Sequence, residues 1–178
     1  MRISIFSRLA MGGLLSAAIL GMPTQVQAQA PFNMFGLLDG SQAVPSTPST
    51  AAGVTIQANI PLPFGQWMGA GFLSVIGIDG SQLDKTHGGN QTAVHIHSGA
   101  PGSAGPFIFD SGFWGTRADY LGGFLMLSVG FYTQYQGAHN TGLTTAQIVG
   151  ILQSGDVFCN IHTQTYRPGE IRADLSIL

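Results

Sequence analysis

The sequence predicts an all-β fold, a sandwich or barrel with one short helix near residues 144–153. Short runs rich in Val, Ile, Phe and Leu alternate with clusters of Gly, Pro, Ser, Thr and Asn, and 26 of the 178 residues are glycine. That spacing of strands and turn signals belongs to sandwiches and barrels. Charge is scarce, with 6 Lys+Arg and 8 Asp+Glu making 8% of the chain, against about a quarter in an average soluble domain. The same figures exclude other classes. The 11 Phe, 4 Tyr and 2 Trp are too many for a disordered chain. The frequent glycines leave no heptads for a coiled coil. No basic patch exists to neutralise the phosphates of a nucleic acid.

The predicted strands are Phe35–Leu38, Val54–Ile60, Trp67–Ile78, Ala93–Ser98, Phe107–Phe109, Phe124–Phe131, Val157–Thr163 and Glu170–Ser176. The helix is predicted from Thr144-Thr145-Ala146-Gln147, which has the Thr-x-x-Gln form of a capping box. Ile148, Val149, Ile151 and Leu152 share one helical face, and Gly155 suits a left-handed end. Between Gly112 and Thr141, Phe124–Phe131 is expected to join the sheet. Thr133–Thr141, which turns polar, is expected to form a mobile cover over the histidine face.

The N-terminus reads as an export signal. Arg2 and Arg8 precede an apolar run, Leu9–Met22, which Pro23 ends. The run is shorter than the roughly 20 residues of a membrane span. Val26-Gln27-Ala28 offers small or moderate residues before a cleavage point after Ala28. Cleavage after Ala30 would leave Pro31 behind the cut, and an uncleaved anchor is the other alternative. The expectation is a signal peptide of residues 1–28 and a single domain of 29–178, periplasmic or extracellular, with no membrane span after processing. That domain keeps four cationic side chains against eight carboxylates, a formal charge of −4. With Cys159 as its one cysteine it has no internal disulfide.

Three of the five histidines sit in apolar strands. In Val94-His95-Ile96-His97, alternation sends both histidines to one face. In Phe158-Cys159-Asn160-Ile161-His162, His162 shares a face with Asn160 and Phe158, opposite Cys159 and Ile161. Burying Val94, Ile96, Cys159 and Ile161 in the core turns His95, His97 and His162 away from it, beneath covering loops. If the two strands are neighbours, three imidazoles converge. Imidazole ligates copper and zinc, and a His-x-His strand spaces its ligands about 7 Å apart at Cα. A blue-copper centre is excluded, because it needs a cysteine beside its histidines and Cys159 faces the other way. Strand histidines also serve simply to hold loops, so the metal-free alternative stays open.

The remaining polar residues read as structural. Glu170, Arg172 and Asp174 alternate on the last strand, and an Arg172 pair with Glu170 or Asp110 would fix the loop Gln164–Gly169. No serine triad, phosphate loop or acidic pair stands out, so no catalytic residue is assigned.

His95-Ile96-His97-Ser98-Gly99-Ala100-Pro101-Gly102-Ser103-Ala104-Gly105-Pro106-Phe107-Ile108-Phe109-Asp110 resembles the central motif of the CHRD domain, named from chordin and widespread in exported bacterial proteins. Gly155-Asp156-Val157-Phe158-Cys159-Asn160-Ile161-His162-Thr163 with Pro168-Gly169-Glu170-Ile171-Arg172 resembles its C-terminal motif. Leu38-Asp39-Gly40-Ser41-Gln42-Ala43-Val44-Pro45 resembles its opening, with Ala43 where the family usually has Glu. These blocks span residues 37–177 but leave Gly112–Thr141 uncovered. The growth-factor-binding modules of chordin are absent, so that role does not transfer. More weakly, His95-x-His97 followed by Ser103-Ala104-Gly105-Pro106 is similar to the copper-binding segment of copper/zinc superoxide dismutases, with His162 as the later strand histidine. That resemblance implies a Greek-key sandwich and a copper-only site. Phe107 stands where the dismutase has a histidine, and the bridging histidine, zinc ligands and disulfide have no counterpart.

Three functions follow as expectations. The first is copper binding by His95, His97 and His162, with His139 or His87 as a fourth ligand. The second is a metal-free adhesive or self-assembling domain meeting an unknown protein or surface partner, another copy included. Phe113, Trp114, Tyr132 and Tyr135 would be its exposed aromatics. The third, ranked last, is an enzyme using copper redox chemistry.

Overall fold

The computed structural model describes residues 29–84, 92–110, 112, 115–132 and 142–178. Its strands are β1 (Phe32–Asp39), β2 (Ala52–Pro61), β3 (Trp67–Ile76), β4 (Val94–Ser98), β5 (Phe107–Asp110), β6 (Gly115–Tyr120), β7 (Gly123–Phe131), β8 (Val157–Ile161), β9 (Ile171–Asp174) and β10 (Ser176–Ile177). Among the described residues one α-helix, α1 (Thr145–Ser154), precedes β8. The fold is all-β, as the sequence predicts. A single antiparallel sheet runs β5-β4-β8-β9-β1-β2-β3-β7-β6, with β10 paired to β1. It curls into a half-barrel instead of splitting into two separate sheets.

β1 joins the two halves of the sheet. It pairs with β2 along its length, with β10 at Met34 and Phe35, and with β9 at Asp39↔Arg172. Gly36 permits this approach, since a Cβ there would lie 2.8 Å from the Ala173 Cβ. The two halves then face one another across a shared core. Leu73, Val75, Phe124 and Met126 from one half join Val94, Ile96, Phe109, Cys159 and Ile161 from the other. These chains, buried on both sides, supply most of the driving force for folding.

The helix forms as predicted. Thr144 accepts from the Gln147 amide, the Gln147 side chain accepts from the Thr144 amide, and Gly155 closes the end at φ 80°. Ile148, Val149 and Leu152 are its buried face.

β6 was not legible in the sequence. Gly115-Thr116-Arg117-Ala118-Asp119-Tyr120 has no apolar alternation. It pairs with β7 from Gly115↔Ser128 to Tyr120↔Gly123, across a turn in which Gly122 takes φ 78°. Phe124–Phe131 joins the sheet within β7, as expected. The expected cover, residues 133–141, lies outside the described residues. Tyr132 departs from expectation: it is fully buried, hydrogen-bonded to Asn59 and Gln57, and set edge-on against Phe109. It is therefore no surface aromatic; Phe113, Trp114 and Tyr135 fall outside the described residues. Among the described residues, no helix is long and apolar enough to cross a membrane.

Candidate metal centre

β4 and β8 are neighbours, and their register decides the site. His95 stands opposite Asn160, and His97 opposite Phe158. His162, just past β8, donates its backbone N–H to the Ala93 carbonyl, which continues the ladder. His95 and His162 are thus diagonal neighbours on one face, within side-chain reach. Their ring centroids are 4.7 Å apart; His95–His97 and His97–His162 are 5.8 and 5.9 Å apart. One ligand nitrogen from each of the three lies within 4.8 Å of the others. His95 and His162 are buried and His97 is half-buried. Val94, Ile96, Cys159 and Ile161 face the core. Burial pushes the Cys159 thiol up to about 12, against a weaker lowering by a hydrogen bond with Thr55.

Two loops orient two of the rings. The Nδ1 of His97 lies 3.1 Å from the Gly105 carbonyl oxygen, and the Nδ1 of His162 lies 2.6 Å from that of Arg167. A carbonyl only accepts, so each Nδ1 carries the proton. In a neutral ring the lone pair is then on Nε2. That is the second hydrogen bond typical of a metal-ligating histidine. Only glycine fits at 105, because a Cβ there would stand 1.4 Å from the Ser98 carbonyl oxygen. The second loop is held by Asn160, whose Nδ2 donates to the Pro168 carbonyl.

The walls are aromatic. A register shift in β5 places Ile96 opposite Phe109 and His97 opposite Phe107, with Ile108 as the extra residue. The bulge aims Phe107 edge-on at His95, 5.1 Å between centroids. Phe158 stacks on His97. A cleft of about 70 Å³ is lined by His97, Gly105, Phe158, Asn160 and Arg172 among others. The sequence singled out the histidines but not these supports. The shared face of Phe158, Asn160 and His162 was their one signal.

Arg172 is buried, but its carboxylate partner differs from expectation. It pairs with Asp174, two residues along the same face of β9, at 2.6 Å. Glu170 is drawn instead to the hydroxyls of Ser49 and Thr163, and Asp110 accepts from the Thr92 amide and hydroxyl. Arg172 also donates to the carbonyls of Ala100 and Ser103. It therefore holds the turn before Gly105, not the loop Gln164–Gly169. His139 and His87, the expected fourth ligands, lie outside the described residues.

Nitrogens bonded to one zinc or copper ion at about 2.0–2.1 Å stand about 3.3–3.6 Å apart. The ligand nitrogens of the three histidines approach that spacing to within roughly 1.5 Å. The donor set fits a borderline ion such as Cu(II) or Zn(II). Fold and site together define an all-β protein with a histidine cluster built on two paired strands. The family model of the CHRD domain matches residues 35–175, and the chain belongs to that family. No curated protein and no solved structure matches it significantly.

Proposed function

We propose that this CHRD-domain protein is exported, processed after Ala28, and binds one transition-metal ion through His95, His97 and His162. Copper is the favoured metal on the general affinity order. The protein is read as a metal-binding protein of the periplasm or cell exterior, not as an enzyme. The observation that carries this reading is the convergence of three imidazoles with one ligand nitrogen of each within 4.8 Å of the others, two of the rings held with Nε2 as the lone-pair nitrogen. When bound, the ion would be a Lewis-acidic and redox-capable centre. The chain's own part is to orient the rings from two loop carbonyls and to wall them with Phe107 and Phe158.

The Nδ1 contacts also favour a second reading, in which the histidines only hold the loops. Copper titration followed by paramagnetic resonance separates the two. The wild type is expected to give a nitrogen-coupled Cu(II) signal at one equivalent. His162→Ala is expected to weaken binding at least about tenfold, the lower end for a lost supporting contact, while Leu121→Ala, on the exposed turn between β6 and β7, leaves it unchanged. Equal binding by all three proteins, or no nitrogen-coupled signal from the wild type, rejects the metal site.

A further inference from the structure

The strands β1, β2, β3, β7 and β6 carry an apolar face on the side away from the core. Directly opposed residues share a face, and the register aligns Ile56, Phe72 and Leu127 in one row and Leu37, Val54, Ser74 and Leu125 in the next, with the small hydroxyl of Ser74 as the polar member among them. Leu37 is 60% exposed, Leu127 59% and Val129 61%. The inward side of the same strands holds buried polar residues, Thr55, Gln57, Asn59 and Ser128. The inward side is otherwise the apolar core, so it is the outward side that departs from the usual antiparallel sheet, whose solvated face is polar. No charged residue occupies an outward position on these strands except Asp39, at the end of β1.

We propose that this face is the interface between two copies of the chain, packed sheet on sheet. The proposal is independent of the metal site. Five strands about 4.8 Å apart, over about eight residues of about 3.3 Å each, make a face of roughly 600 Å² before side-chain corrugation. That is at the upper end of the largest apolar patch on a typical monomer, about 300–600 Å². It approaches the roughly 800 Å² per partner of a standard stable interface. A patch without charges is complementary to itself, and a two-fold axis brings the same rows together. Two sheets packed at about 10 Å would bury both faces as in a sandwich. A lipid surface fits less well. Membrane-binding faces carry Lys or Arg for anionic headgroups, whereas Arg117 is paired with Asp119, Arg172 with Asp174, and neither stands on this face.

Sedimentation equilibrium of the secreted protein from low to tens of micromolar tests the proposal. The expected result is a mass of two chains, reduced to one chain by Phe72→Glu combined with Leu127→Glu. Phe72→Thr with Leu127→Thr, which keeps strand propensity, should weaken the dimer at least tenfold if the glutamates prevent folding. Radical footprinting of the wild type should protect Phe72 and Leu127 at high concentration only. A single-chain mass at every concentration overturns the proposal, and so does a dimer that survives the folded threonine variant. A monomer that co-sediments with phosphatidylglycerol vesicles overturns it in favour of a lipid surface.

Discussion

The ring of His97 lies parallel to that of Phe158, with 5.0 Å between centroids and 5° between planes. The guanidinium of Arg172 stands 3.5 Å over the same Phe158 ring. His97, Phe158 and Arg172 belong to the adjacent strands β4, β8 and β9, so the half-buried histidine is braced sideways by a chain of contacts ending in a buried cation. The same cation holds the carbonyls of Ala100 and Ser103, in the loop that delivers the Gly105 carbonyl to His97 Nδ1.

Arg172→Met should therefore disturb both the fold and the site. It leaves two loop carbonyls and Asp174 without their cation. Breaking a buried pair by removing one partner costs about 3–5 kcal/mol; Asp174 is partly exposed, which places this case near the lower figure. Urea unfolding measures the loss. In the fraction still folded, copper affinity should fall as well. A variant with unchanged stability would show that the arginine does not hold the loop.

Two glycines make a controlled contrast. Gly105→Ala forces a Cβ to within 1.4 Å of the Ser98 carbonyl oxygen, so the loop must move. A loss of about 3 kcal/mol or more is expected, in the range reserved for severe backbone or packing conflicts. Gly150→Ala lies on the exposed side of α1, where nothing stands within 4 Å of the new Cβ. It should stabilise by about 0.5–1 kcal/mol through helix propensity. Thermal melts of both variants decide the matter.

Alkaline titration should unfold the protein through Cys159 first. Burial holds its thiol neutral to about 12, whereas an unfolded thiol ionises near 8.5. Its contribution is fully present below about pH 8.5 and is lost as pH rises toward 12. The slope is at most about 1.4 kcal/mol per pH unit. Burial raises Tyr132 too, so its loss adds at higher pH. Cys159→Ala should flatten the stability profile between about pH 9 and 10. An unchanged slope in that variant would place the alkaline sensitivity elsewhere.

The strand positions of the histidines were legible because alternation is a local property. His-x-His must share a face, and burying Val94, Ile96, Cys159 and Ile161 fixes which one. The capping box of α1 was legible for the same reason, since its four residues meet only one another. β6 was not, because its pairing depends on β7 and the turn at Gly122, not on any pattern of its own. Asp174 as the partner of Arg172 was also missed. The hydroxyls of Ser49 and Thr163 claim Glu170, that of Thr92 claims Asp110, and no strand alternation reports that competition.

The sequence alone determined the all-β class, the helix, the histidine face and the membership implied by the motifs. Each depends on side-chain periodicity or on contacts a few residues apart. Tertiary structure alone decided that β4 lies beside β8 in a register that brings His162 to His95. It also decided that loop carbonyls orient two of the rings, and that the outward side of β2, β3 and β7 is apolar while their inward side holds Gln57 and Asn59. Those outcomes depend on how one curled sheet closes over itself. Closure is fixed by close approaches such as Gly36 against Ala173, between segments more than a hundred residues apart.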